Sequence, residues 1–275
     1  MKLDQQPSVH GAIRSRDDVR DMFDRIVPRY DLMNRLMTGG RDVAWRRLAV
    51  REALCGRARE SCHVLDVATG TGDLAIALRD AGVGNVIGLD FSAPMLAAAA
   101  RKDASSGETA LRPVTWVHGD AMALPFPDES FDAVTIGFGL RNMPSYAGAL
   151  GEMVRVLRPA GTLVCLETTS FRVPVVKYAF DLYFSRVVPI LGGFLSGDSD
   201  AYRYLPASAS AFPDASSLGR MMLQSGFSKV KYRRLGLGTV ALHVASKLNG
   251  ERRNNVPLLT PLARNERSGA AASGL

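Results

Sequence analysis

The feature that most constrains this chain is the run His63-Val64-Leu65-Asp66-Val67-Ala68-Thr69-Gly70-Thr71-Gly72-Asp73, followed by Leu74-Ala75-Ile76-Ala77-Leu78. A short apolar stretch, a glycine loop and a helix-periodic stretch in immediate succession read as strand, tight turn, helix. The strand is apolar on consecutive positions rather than alternate ones, as in a sheet covered on both faces. The unit then recurs. Val86 to Leu89 is a second apolar run ending in Asp90, with a helix over 93 to 100 for which Ser92 is the natural N-cap. Residues 114 to 121 and 131 to 138 form a third and fourth strand, a helix covers 146 to 157, and Pro159-Ala160-Gly161 turns into a strand at 162 to 167. A helix at 218 to 225 is stopped by Gly226, and strands at 228 to 235 and 239 to 246 are expected to pair as an antiparallel hairpin at the sheet edge. The expectation is an α/β fold with a doubly wound, mostly parallel, seven-stranded sheet.

Before the sheet, residues 17 to 57 have helical spacing broken near Pro28 and at Gly39-Gly40. Beyond Glu167 the alternation is interrupted by an aromatic, amphipathic stretch containing Pro174 and Pro189, read as a helical cap inserted at about 171 to 215. The residues after 248 have neither helical nor strand period and read as a disordered tail. The organisation expected is thus one domain over 1 to 248, with the helical part at 17 to 57 and the tail at 249 to 275. At 275 residues and 47% hydrophobic composition, the chain can bury one sizeable core. The polar start, MKLDQQPSVH, lacks the apolar region of a signal peptide, and Val173 to Leu195 is broken by Lys177, Asp181 and Arg186, so no span is expected. Three cysteines with no CxxC pair make a poor disulfide framework and fit a cytoplasmic setting; no metal is assigned. Residues 14 to 59 hold 12 Arg against 7 acidic residues, a balance of +5 within a chain of +7. That suits either a solvated helical face or attraction to an anionic membrane surface. Nucleic acid is not expected, because Asp is interleaved with the Arg and no recognition motif accompanies them.

A ligand of such a sheet lies beyond the carboxyl ends of the strands, where strand order reverses. Gly70 and Gly72 let the backbone turn and approach it closely. Asp90, at the end of the second strand, can accept hydrogen bonds from two ribose hydroxyls. Both features fit a nicotinamide dinucleotide as well as S-adenosylmethionine. The pair Asp120-Ala121, followed by Leu124-Pro125-Phe126-Pro127-Asp128-Glu129-Ser130-Phe131-Asp132, separates them. This run resembles class I methyltransferases, where such an Asp holds the adenine amino group and the next N–H reaches the ring.

Three longer stretches carry a more specific resemblance: Met22 to Asn34 (MFDRIVPRYDLMN) with Trp45-Arg46, then Phe138-Gly139-Leu140-Arg141-Asn142, then Asp200 to Leu205 (DAYRYL). They resemble, in the same order over about 20 to 247, the ubiquinone/menaquinone biosynthesis C-methyltransferase family. The resemblance implies a Rossmann-like methyltransferase, S-adenosylmethionine as cofactor, and contacts to it from Thr71, Asp90, Asp120 and Ala121 besides Gly70 and Gly72. It also implies a polar side chain at the position of Gly137, which this chain lacks. The activity implied is methyl transfer to a ring carbon of a reduced polyprenyl quinone precursor, demethylmenaquinol in first place. A ubiquinone precursor, or O- or N-methylation of another small molecule, is the alternative.

Carbon methylation of such a ring needs a ring hydroxyl to lose its proton, so that charge moves onto the neighbouring carbon. Arg141 is expected to stabilise the developing phenolate and Asn142 to orient the ring. Tyr30 and Asn34, four apart on one helical face, are expected either to close over the cofactor or to serve helix packing. His118 and His243 lie in strands and read as structural. The aromatic cap offers more apolar side chains than one helix face needs, for a polyprenyl tail, a membrane interface, ordinary core or a homodimer contact.

Overall fold

The computed structural model describes residues 16–105, 112–170, 208–249 and 258–261. The helices among them are α1 (Arg16–Ile26), α2 (Tyr30–Thr38), α3 (Asp42–Ala53), α4 (Asp73–Asp80), α5 (Ala93–Ser105), α6 (Tyr146–Val156) and α7 (Ala215–Gln224). The strands are β1 (His63–Val67), β2 (Asn85–Asp90), β3 (Thr115–His118), β4 (Phe131–Gly137), β5 (Leu157–Thr168), β6 (Phe227–Leu235), β7 (Val240–Lys247) and β8 (Leu258–Pro261).

They form one sheet in the order β3-β2-β1-β4-β5-β7-β6-β8. From β3 through β5 neighbouring strands run parallel, β7 is antiparallel to both β5 and β6, and β8 lies parallel to β6. The order reverses between β1 and β4, so the crevice for a ligand opens beyond the carboxyl ends of β1, β2 and β4. Alternation of side chains divides the core between two faces. Leu65, Val67, Val134, Ile136 and Leu163 pack with Leu150 and Met153 of α6 and Leu218 and Met222 of α7. Val64, Ala133, Val164, Leu166 and Leu242 pack with Trp45 and Ala49 of α3 and Leu74 and Leu78 of α4. Both faces are thus covered, as the continuous apolar strands required.

The doubly wound α/β architecture stands, but it has eight strands rather than seven. The eighth, Leu258–Pro261, falls inside the stretch read as a disordered tail: Leu259 packs against the main core and the strand pairs Lys229↔Leu258 through Tyr232↔Pro261. The last two long strands pair as expected, yet β7 lies inside the sheet between β5 and β6. The antiparallel register Thr162↔Ser246 to Thr168↔Val240 buries β7 on both sides. The aromatic cap and the YRYL stretch lie outside the described residues. Among the described residues no helix is long and apolar enough to cross a membrane.

Candidate active site

At the end of β1 the chain turns through left-handed backbone at Ala68 (φ 51°), Gly70 (φ 57°) and Gly72 (φ 82°), and α4 begins at Asp73. At Gly72 the requirement is steric as well: a Cβ there would stand 2.5 Å from Trp116 Cη2 and 2.9 Å from Ala99 Cβ. Behind the loop, Asp66 is buried and accepts the hydroxyls of Thr69 and Thr135, both at 2.6 Å. Burial pushes its carboxyl up to about 6 against those two bonds.

Asp90 closes the other side. Its Oδ2 accepts the Gly70 N–H at 2.7 Å and its Oδ1 the Ser92 N–H at 2.9 Å. Burial raises its carboxyl, and the N–H groups of Ser92, Gly70 and Phe91 hold it down. A carboxylate oxygen that accepts one N–H keeps a second lone pair, so this aspartate is fixed in place and still able to receive a diol. An open volume of about 400 Å³ lies beside it, lined among others by Leu89, Asp90, Asp120, Ala121 and Asn142. Asp120 Oδ1 accepts the Met122 N–H at 2.9 Å, which orients that carboxylate. A second lobe, of about 430 Å³, is lined among others by Tyr30, Arg46, Asp66, Thr69, Thr71 and Gly137. Ala68 borders both lobes, so they adjoin across the loop.

The N-terminal helices roof this cleft. The Thr71 hydroxyl donates to Asp31 of α2 at 2.5 Å, Lys102 of α5 bridges Asp31 (2.5 Å) and Asp73 (2.6 Å), and the Ser92 hydroxyl donates to Asp24 of α1. Tyr30 and Asn34 both border the second lobe and hydrogen-bond to each other. Burial raises the Tyr30 phenol, opposed first by Asn34 and then by the Arg141 cation.

Asp90, Asp120, Ala121 and Asn142 therefore meet on one lobe and Thr71 on the other, with Gly70 and Gly72 between. Arg141 does not line either lobe. Its Nη1 donates to Glu167 Oε1 at 2.6 Å and to the Phe138 carbonyl at 2.7 Å, with the two ion-paired side chains 7% and 1% exposed. Glu167 also accepts the Arg141 and Thr168 N–H groups. The pair braces the turn after β4 at the ends of β4 and β5. Glu167, Asp31, Asp24, Lys102 and Trp116 were not singled out in the sequence. A carboxylate closing an apolar strand, as in TLVCLE, is the one signal that points to a buried partner. His243 is buried, its Nε2 donates to the Ala215 carbonyl at 2.7 Å, and burial lowers it to about 4, so it is a neutral core histidine. His118 lies at an exposed position, Nε2 at 3.0 Å from the Phe91 carbonyl.

A doubly wound sheet with β7 antiparallel beside β5, acidic residues at the ends of β1 and β2 and just past β3, and a two-lobed cleft over the glycine loop define a class I methyltransferase fold. Solved structures share it, among them an S-adenosylmethionine-dependent methyltransferase from Thermotoga maritima (19% identity, TM-score 0.56, 82% of this chain and 98% of that one). The [4+2]-cyclase SpnF shares it too (20%, 0.57, 86% and 98%), so the fold alone fixes no reaction. A model of the ubiE/COQ5 methyltransferase family matches residues 12–247, and the chain belongs to that family. It is accordingly an S-adenosylmethionine-dependent methyltransferase. Its relatives include the demethylmenaquinone methyltransferases of Thermus thermophilus (50% identical over 231 residues, 82% of this chain and 100% of that one) and Deinococcus radiodurans (42% over 248 residues, 90% and 100%). The ubiquinone/menaquinone biosynthesis C-methyltransferase UbiE of Paracoccus denitrificans is 42% identical over 231 residues, covering 84% and 90%. The cleft fits the cofactor. The Asp90 lobe offers apolar walls with carboxylates for a nucleoside, and the second lobe, where Arg46 sits among Asp66 and Asp73, offers both signs of charge for an amino-acid end.

Proposed function

We propose that this chain methylates a ring carbon of demethylmenaquinol, giving menaquinol. The observation that carries the reading is the 50% identity, over 82% of this chain and the whole length of the relative, to a protein named demethylmenaquinone methyltransferase, together with a cleft lined by Asp90, Asp120 and Ala121. The Paracoccus relative supports a second reading, methylation of a ubiquinone precursor. Offering both quinols to the purified protein tests the choice: demethylmenaquinol is methylated faster, and a strong preference for the ubiquinone precursor overturns the first reading.

When bound, S-adenosylmethionine supplies a methyl group already activated on a sulfonium. The chain's own part is to hold it and to prepare the acceptor. Asp90 would take the ribose hydroxyls, Asp120 and the Ala121 N–H would take the adenine, and Gly70, Thr71 and Gly72 would form the floor. Asn142, on the cleft wall, orients the acceptor ring. Arg141 acts from behind the wall. Its charge is balanced by Glu167, and its field only opposes the burial that raises the Tyr30 phenol, so its part is to hold the turn that carries Asn142 and to add a modest positive potential to that side of the cleft.

The chain works in the cytoplasm at the membrane surface, where a polyprenyl acceptor resides. Exposed Arg29, Arg35, Arg41 and Arg47 beside exposed Leu32 (50%) and Leu36 (42%) support that contact. Flotation with anionic vesicles tests it: protein left with the unbound fraction removes the membrane contact. The aromatic, apolar sequence that follows Ser170 then serves the tail or a homodimer, which sedimentation in the absence of lipid distinguishes.

A further inference from the structure

Arg46, on α3, is the only cation among the described residues that line the second lobe. Its side chain is 14% exposed, and its Nη1 is held between Asp42 (2.7 Å) and Asp73 (2.8 Å). Asp42 is 2% exposed and is itself fixed by the Thr38 hydroxyl at 2.9 Å. The guanidinium is thus locked from behind by a buried carboxylate. All its bonds to the described residues use Nη1, which leaves the Nη2 and Nε donors of a planar fork.

The lobe around it is bipolar. Asp66 and Asp73 border it together with Arg46, and the hydroxyls of Thr69 and Thr71 lie between. A nucleoside needs none of these charges, whereas an α-amino acid carries one of each sign. We propose that Arg46 anchors the α-carboxylate of the cofactor's amino-acid end through its free-facing edge, with the ammonium on the aspartate side. The assignment rests on the cofactor reading above and adds a specificity determinant to it. Asp42 and Asp73 set the fork's orientation, so the carboxylate meets a pre-formed site rather than a mobile arginine.

Two ligands isolate the claim. S-adenosylhomocysteine carries the amino-acid end, and methylthioadenosine has the same adenosine and a thioether without it. Titration calorimetry of wild type and Arg46→Met should show S-adenosylhomocysteine weakened by about tenfold or more, with methylthioadenosine changed by less than about twofold. Arg46→Lys, which keeps charge but loses the fork, should fall between them on S-adenosylhomocysteine. Unchanged S-adenosylhomocysteine affinity in Arg46→Met overturns the proposal, and so does equal weakening of both ligands, which makes Arg46 a support of the glycine loop through Asp73. Should Arg46→Met not fold, the ratio of the two affinities in Arg46→Lys decides: a ratio equal to wild type refutes the anchor. A wild-type protein that binds neither ligand refutes the cofactor reading itself, a result distinct from all of these.

Discussion

Replacing Gly72 by alanine tests the glycine loop through two separable costs. The backbone is at φ 82°, where an L side chain costs about 1–2 kcal/mol. The new Cβ would also lie 2.5 Å from Trp116 Cη2 and 2.9 Å from Ala99 Cβ. The same ring also covers Gly88, where a Cβ would be 2.6 Å from Trp116 Cζ3, so displacing it disturbs a second contact. Overpacking of that kind costs about 1–3 kcal/mol. The sum, about 2–5 kcal/mol, corresponds to a Tm lowered by about 4–20 °C in a domain of this size. Gly40→Ala is the control: φ is 74° and nothing lies within 4 Å of the added carbon, so only the backbone cost remains. Thermal unfolding of Gly72→Ala, Gly40→Ala and Gly72→Ala/Trp116→Leu should place the first lowest, with the double variant recovering part of the loss. If Gly72→Ala loses no more than Gly40→Ala, the loop is not pressed against Trp116 and the steric reasoning fails.

Asp90→Asn exchanges one carboxylate oxygen for an amide that cannot accept from Gly70 or Ser92, and S-adenosylhomocysteine affinity should fall by about tenfold or more in calorimetry. Glu167→Gln leaves the buried Arg141 guanidinium without its counter-charge, and denaturant unfolding should show a loss of about 3–5 kcal/mol. Arg141→Leu/Glu167→Leu should lose less than the two single changes added together, and its turnover should still be low while cofactor affinity is nearly kept. His243 stays neutral in the fold, lowered to about 4, so the unfolded chain binds the extra proton and stability is lost as pH falls from about 6.5 to about 4. Asp66, raised to about 6 by burial, acts in the opposite sense over much of that window, so His243→Gln should gain stability relative to wild type on going from pH 7 to pH 5 in denaturant titrations.

Local pattern was enough for β1, the loop and the strand ends that carry Asp90 and Asp120, because continuous apolar strands and glycine turns are written in neighbouring residues. It was not enough for β8: LLTP is four residues with a proline, and only pairing with β6 and the packing of Leu259 make it a strand. Nor does adjacency in sequence say which arm of a hairpin faces outward, and here β7, the later one, is drawn inside against β5. The roof contacts join residues far apart in the chain, Asp31 with Thr71 and Asp24 with Ser92, and no local period records them. The sequence puts Arg141 just past β4, but the direction of its side chain depends on Glu167, on the neighbouring strand.

The account depends most on where the adenosyl group sits. A crystal structure with S-adenosylhomocysteine is the direct measurement: the ribose hydroxyls should lie on Asp90, the adenine beside Asp120 and Ala121, and the amino-acid end in the Arg46 lobe past Gly70 and Gly72. Ligand density away from the carboxyl ends of β1 to β3, or none at saturating concentration, would contradict it.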